Sequence, residues 1–404
     1  MLTLQIVRRF CAASTFTSAK NAVLCNGRNN VLKNSRNLLN VDQPVLFKLK
    51  KERDPEKLFN LFKLNANNKV LVENRFAFED TVGRLAGAGR FDYIECLLEQ
   101  QKALPQGRRE GFVIRIIMLY GKAGMMRHAL NTFFDMHLYG CRRTVKSFNA
   151  TLMILTKSRD INMIESFLRD VPMRFEIAID LMSLNIVVNT FCEMLILDKA
   201  YMLMVEAEKS GLCPDVVTYT ILISAFYKAR RWEFANGLWN LMVLKGCPPN
   251  LATFNVRIQF LANIGRAWEA NELLALMHTA KVIPDEITYN LVIKAFFLAR
   301  RPDMVERVCS DFYRRGYKPN EKIYQTIIHY LCKSGDYDLA FTKCQESMKC
   351  NHFPSLHSIY MLLQGLWKNN RRDKAIYIMT LVRKRVPPYK KDQLQAMQSI
   401  LSYG

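Results

Sequence analysis

The sequence predicts an all-α solenoid of about nine 35-residue helix-turn-helix repeats, on three observations. Pro214, Pro249, Pro284, Pro319 and Pro354 stand 35 residues apart, so five of the thirteen prolines fall on one lattice. Tyr219, Phe254, Tyr289 and Tyr324 keep the same step in a second phase, and Ala200, Ala235, Ala270, Ala340 and Ala375 in a third. A period shared by unrelated residue types belongs to a structural unit, not to a turn. Gly211, Gly246 and Gly316 each precede their proline by three, which marks where a unit ends.

One unit, Val216 to Asn250, shows how the residues make the elements. Tyr219, Leu222, Ile223 and Phe226 recur at helical spacing and give a first helix with one apolar stripe. Lys228-Ala229-Arg230-Arg231 makes the turn. Phe234, Leu238, Leu241 and Met242 form the expected stripe of the second helix, which Gly246 ends and Pro249 prevents from continuing. The small Ala235 allows close approach of the two helices. Neither helix buries its stripe alone, so each hairpin must stack on its neighbours and the chain must wind into a superhelix.

Extended in both directions, the lattice gives repeats at 75–109, 110–144, 145–180, 181–215, 216–250, 251–285, 286–320, 321–355 and 356–390, together 75–390. The third holds one extra residue. Residues 41–74 are expected to cap the N-terminal end, with Asp54-Pro55-Glu56 opening a helix that carries Leu58, Phe59 and Phe62; residues 391–404 cap the other end. Residues 1–40 differ from the rest. No Asp or Glu occurs from Met1 to Val41, whereas Arg8, Arg9, Lys20, Arg28, Lys33 and Arg36 alternate with apolar, Ser and Thr residues, as in an organellar targeting peptide. Arg8-Arg9-Phe10-Cys11 loosely resembles a plant mitochondrial processing site, which implies the mitochondrial matrix, with a plastid as the other destination.

Composition narrows the function. Half of the 404 residues are apolar, and 58 Lys and Arg against 36 Asp and Glu leave a net charge of +22, which favours a polyanionic partner. The same excess also serves solubility. The eleven cysteines show no metal-ligand spacing and read as buried small apolar residues in a reducing compartment. No window offers the roughly 18 uninterrupted apolar residues of a membrane span. His128, His137, His278, His329, His352 and His357 form no site by spacing, so the reading includes no catalysis, metal, cofactor or small-molecule substrate.

Val216-Val217-Thr218-Tyr219-Thr220-Ile221-Leu222-Ile223 and Glu286-Ile287-Thr288-Tyr289-Asn290, with the turn and the Gly-to-Pro ending, resemble the pentatricopeptide repeat (PPR) over roughly residues 75–390. The tetratricopeptide step of about 34 residues and its Trp-Leu-Gly-Tyr signature are missing. The resemblance implies a P-type plant organellar protein, a right-handed superhelix, and binding of single-stranded RNA at one base per repeat, read by the fifth and last residues. Carried over, the pairs are Asn149 with Asp180, Asn185 with Asp215, Thr220 with Asn250, Asn255 with Asp285, and Asn290 with Asn320, implying a core 5′-UUAU(C/U)-3′. Met182, Val217, Ala252 and Ile287 at position two would sandwich the bases; the third repeat has Lys146 there. Glu79 with Arg109, Ile114 with Thr144, Gln325 with Ser355, and Tyr360 with Lys390 match no readable pair.

Asn and Asp at repeat junctions also serve as helix caps, which explains the last residues as well as base reading does, but explains Asn inside a helix poorly. Lys122, Lys157, Lys228, Lys333 and Lys368 hold position thirteen and are expected to track phosphates, two helical turns beyond position five. A lysine near a helix C-terminus equally suits the macrodipole. Two functions follow: a transcript-binding factor in RNA processing, stabilisation or translation, or a structural component of the mitochondrial ribosome. Five readable bases distinguish only about a thousand sequences, which suits an auxiliary or ribosome-bound role. Arg109-Glu110-Gly111-Phe112, Tyr120-Gly121-Lys122-Ala123-Gly124 and Phe148-Asn149-Ala150 resemble short mitochondrial PPR proteins, some of them mitoribosome-associated.

Overall fold

The computed structural model describes residues 43–386 and 388–402; the expected targeting peptide over 1–40 lies outside them. Among the described residues every regular element is a helix, and none is long and apolar enough to cross a membrane. The described residues divide into two compact units, one up to Ala225 and one from Phe226 onward.

In the first unit three short helices, Gln43–Lys51, Pro55–Leu64 and Lys69–Glu73, precede the repeats, where the sequence suggested one prominent helix. Asp54 caps the second, its carboxylate accepting from the Glu56 and Lys57 amides, and Leu58, Phe59 and Phe62 are buried. Helix hairpins follow: Arg75–Gly87 with Phe91–Lys102, Glu110–Lys122 with Met126–Phe134, Val145–Leu155 with Ile161–Arg174, and Leu181–Glu193 with Leu197–Lys209. Val216–Lys228 holds the division. In the second unit, Trp232–Leu244 precedes the hairpins Leu251–Asn263 with Ala267–Thr279, Glu286–Leu298 with Pro302–Arg314, Glu321–Ser334 with Tyr337–Lys349, and Leu356–Lys368 with Arg372–Arg383; Lys391–Ser402 ends the array. Within each unit, successive first helices pack side by side.

The lattice residues form the core. Ala200, Ala235, Ala270, Ala340 and Ala375 are fully buried, and Tyr219, Phe254, Tyr289 and Tyr324 are buried with them. The stripe of Trp232–Leu244 differs from expectation, because Ala235, Leu238, Trp239 and Met242 face inward, whereas Phe234 is 55% exposed. Its position places it beside that face, where its ring stacks on Phe226 at 5.7 Å and carries the Arg231 guanidinium at 4.3 Å. The cysteines also divide: Cys141, Cys192, Cys332 and Cys344 are buried, but Cys96, Cys213 and Cys350 are exposed.

Both kinds of turn use left-handed backbone. The fifteenth residue of every repeat has positive φ, as Gly89, Gly124, Arg159, Leu195, Arg230, Gly265, Arg300, Gly335 and Asn370. At Arg230 the cap closes through Arg231 N–H to the Phe226 carbonyl (2.9 Å) and Arg230 N–H to the Tyr227 carbonyl (3.1 Å), the paired bonds that satisfy the last carbonyls of a helix. The extra residue of the third repeat lies in the 14-residue helix Ile161–Arg174, after the turn and before the junction.

Candidate nucleic-acid interface

The junction between repeats is built from three lattice positions. The last residue of a repeat caps the next first helix: Asp180, Asp215, Asn250, Asp285 and Asn320 accept from the amides of Ser183, Thr218, Thr253, Thr288 and Ile323 at 2.8–3.0 Å. In repeats three, four and six the position-five amide donates to that same carboxylate, from Asn149 to Asp180 at 3.0 Å, Asn185 to Asp215 at 3.2 Å and Asn255 to Asp285 at 3.3 Å. The third side chain is the hydroxyl of Ser183, Thr218 or Thr288, which donates to the asparagine Oδ1 at 2.6–2.7 Å and lies 2.8–2.9 Å from the aspartate.

This leaves a defined remainder. The hydrogen bonds to these aspartates fall on Oδ1 and use one of the two N–H donors of each asparagine, and at Asp215 the Val217 amide also favours the charged carboxylate. Burial pushes the Asp215 carboxyl up, but bonds from the Thr218 amide, Asn185 and the Thr218 hydroxyl outweigh it and hold the group below the ordinary carboxylate range. The Asn185–Asp215 and Asn255–Asp285 junctions thus place a negatively charged acceptor beside a neutral donor.

In the first unit an open depression is lined by Leu181, Met182, Asn185, Ile186, Asn189, Asp215 and Val217. Met182 and Val217, consecutive position-two residues, are 56% and 50% exposed and flank the Asn185–Asp215 pair. Ala252, Lys146 and Ile287 are exposed at the same position in their repeats. An apolar side chain exposed on a helix without a partner suits stacking against a planar ring.

Not every sequence-derived residue joins this pattern. Asn149 is only 3% exposed, turned into the packing beside Ser183, so base contact by its side chain is not open in this arrangement. Thr220 donates to the Val216 carbonyl of its own helix at 2.7 Å. Asn290 has a buried Oδ1 with no partner, because the third residue of the next repeat is Ile323, which has no hydroxyl. Asn320 instead donates to Glu286.

Lys122, Lys157, Lys228, Lys333 and Lys368 are all exposed. Lys122 lies 3.5 Å from Glu79. Lys157 departs from the expected helical row, since its helix ends at Leu155 and Thr156–Ser158 form a tighter 3-10 turn that rotates the side chain out of register. The residues missed by sequence reasoning are the position-three hydroxyls. Their signal was present, since Ser147, Ser183, Thr218, Thr253, Thr288 and Ser358 lie on the same lattice, each three residues after a cap.

Comparison with known proteins matches the PPR repeat family at residues 179–228 and 214–263, and the PPR repeat at 115–141 and 287–317. A mitochondrial pentatricopeptide repeat-containing protein of Arabidopsis thaliana is 60% identical over 247 residues, 61% of either chain. The Arabidopsis small ribosomal subunit protein mL103 (rPPR7) is 31% identical over 342 residues, covering 84% of this chain and 83% of that one. The maize pentatricopeptide repeat protein PPR10 shares the fold at a TM-score of 0.51 and 17% identity, over 90% of this chain and 60% of its own. The chain thus spans about three fifths of the length of the first relative and of the maize protein. With identity to mL103 sustained over most of both chains, and with helix hairpins stacked at the same step, this chain belongs to the pentatricopeptide repeat family.

Proposed function

We propose that the chain is a single-stranded RNA-binding protein of plant mitochondria, acting in the matrix in RNA processing, stabilisation or translation. The observation that carries this is the depression between Met182 and Val217, with Asn185 and Asp215 at its polar side. Two exposed apolar side chains suit the faces of a base, while the second Asn185 N–H and the Asp215 carboxylate complement the acceptor–donor edge of uracil. Asn255 with Asp285 repeats the pair. Asn185, Asp215, Asn255 and Asp285, with Met182, Val217, Ala252 and Ile287 as stacking residues, are the strongest base-reading candidates; Thr220, Asn250, Asn290 and Asn320 have the lattice position without that geometry. The net charge of +22 supplies the general attraction.

The full chain should retain an oligonucleotide containing UUAUC better than its complement, with log affinity falling linearly against log salt at about −0.7 per phosphate contacted. Asn255→Thr should move the preference at one position from U toward G. Equal retention of both oligonucleotides removes base reading.

A second reading, a mainly structural component of the mitochondrial ribosome, is favoured by the extent of the match to mL103, a small ribosomal subunit protein in Arabidopsis. Sedimentation of nuclease-treated mitochondrial extract separates the two. Migration with a ribosomal subunit supports the second, and migration as a free protein the first.

A further inference from the structure

At the hairpin turns arginine stands where the backbone favours glycine. Gly89, Gly124, Gly265 and Gly335 occupy the left-handed fifteenth position in four repeats and Leu195 and Asn370 in two, but Arg159, Arg230 and Arg300 occupy it in the other three at φ 58°, 60° and 55°. There a Cβ crowds the following carbonyl, a conflict that glycine avoids. Backbone strain kept at a defined position is a reason to look for work done by its side chain.

Packing does not account for these side chains. All three are exposed, and although each backbone N–H closes its turn, none of the three side chains makes a hydrogen bond, ion pair or ring contact among the described residues. The arginines one residue later behave differently. Arg90 meets Asp92 at 2.8 Å, Arg301 meets Asp303 at 2.7 Å, Arg371 meets Asp338 at 3.5 Å, and Arg266 pairs with Glu269. At position sixteen those four arginines are paired with carboxylates and Arg231 lies over the Phe226 and Phe234 rings, whereas the position-fifteen side chains have no such partner. The negative end of the first helix attracts any cation, but Lys228 and Lys368 already supply one from a helix's last residue with ordinary backbone.

In the second unit the geometry gathers this charge. The first helices from Leu251–Asn263 to Leu356–Lys368 lie side by side, so their C-terminal ends emerge along one edge. Tyr227 stacks on Phe260 at 4.0 Å and Phe297 on Tyr330 at 5.5 Å, which seats each arginine-bearing turn against the next first helix. Lys228, Arg230, Arg300, Lys333 and Lys368 thus share that edge. Ten residues separate positions five and fifteen, about 15 Å along a helix axis, so the edge is distinct from the base-facing junctions.

We propose that Arg230 and Arg300 bind RNA backbone phosphates at this turn edge, independently of base sequence. This rests on the RNA-binding reading above and adds a second contact surface to it. A guanidinium matches phosphate oxygens in a bidentate fork, which explains arginine at a position where glycine serves the backbone better.

The test uses the full chain with two double variants, Arg230→Gly with Arg300→Gly, and Arg230→Ala with Arg300→Ala. Affinity for a UUAUC oligonucleotide and a scrambled one is measured by anisotropy across salt concentrations, alongside thermal melting. Both variants should lose affinity for both RNAs by the same factor, on the order of tenfold, with a salt slope shallower by about 1.4, two phosphates at 0.7 each. The glycine variant should also melt roughly 2–4 °C higher, and the alanine variant should not. Unchanged affinity and slope in both variants would reduce these arginines to turn residues, and a loss confined to one RNA would equally overturn the proposal. Absence of RNA binding by the wild-type chain would instead overturn the parent reading, and this one with it.

Discussion

The junctions after repeats four and six and the junction after repeat seven use the same lattice positions but satisfy their polar atoms differently. After repeats four and six, an asparagine amide, an aspartate cap and a threonine hydroxyl close on one another, in Asn185, Asp215 and Thr218 and in Asn255, Asp285 and Thr288. After repeat seven the cap is Asn320 and the hydroxyl is replaced by Ile323, so the Asn290 Oδ1 is buried without a partner and Asn320 turns to Glu286. Two replacements, of the aspartate cap and of the hydroxyl, therefore separate a pre-oriented amide from an unsatisfied one. Position five is thus held by its neighbours before any ligand arrives, and the same residue type there need not present the same atoms.

The largest effect expected is at the cap. Asp215→Ala removes the acceptor for the Thr218 amide and for Asn185, and should cost roughly 2–4 kcal/mol in urea unfolding, about 1 for the cap and 1–3 for groups left unpaired. Asp215→Asn adds a pH signature. The folded carboxyl is held below its unfolded value, so its stabilisation is present above the unfolded pKa of about 3.9 and is lost as pH falls through the folded value. The wild type's advantage over Asp215→Asn should accordingly shrink below about pH 4, and an advantage that stays constant down to pH 2 would show that the carboxylate is not what the junction uses.

A smaller effect recreates one kind of junction within the other. Thr288→Val leaves the Asn255 Oδ1 as Asn290 is now and should cost about 1–2 kcal/mol. Conversely, Ile323→Thr and Asn290→Ala in a double-mutant cycle should couple favourably by about 0.5–1.5 kcal/mol, as the new hydroxyl meets the orphan oxygen. A coupling indistinguishable from zero would mean that the two junctions differ in backbone placement, not in one hydroxyl.

The smallest effect lies at a hairpin turn, away from any junction. Leu195 is 73% exposed with φ 62°, so it carries the left-handed cost without packing or charge. Leu195→Gly should stabilise by roughly 0.5–1 kcal/mol in the same unfolding assay. A loss of stability there would show that the turn depends on the leucine side chain, and would weaken the contrast with the junctions.

Much of this architecture was written in local sequence. The 35-residue lattice, the apolar stripe of each first helix and the Gly-to-Pro endings all act within one repeat, through helical periodicity, capping and left-handed turns, so a linear reading reaches them. Tertiary structure decided what those repeats present. Asn149 is buried while Asn185 lines a depression, Phe234 leaves the core for a stack on Phe226, and Lys157 falls out of register where its helix tightens. Each outcome depends on a neighbouring helix or turn, and the hydroxyl that orients Asn185 lies 33 residues away. Periodicity specifies which residues recur, but only the stacking of one hairpin on the next determines which polar atoms are already satisfied and which remain for a ligand.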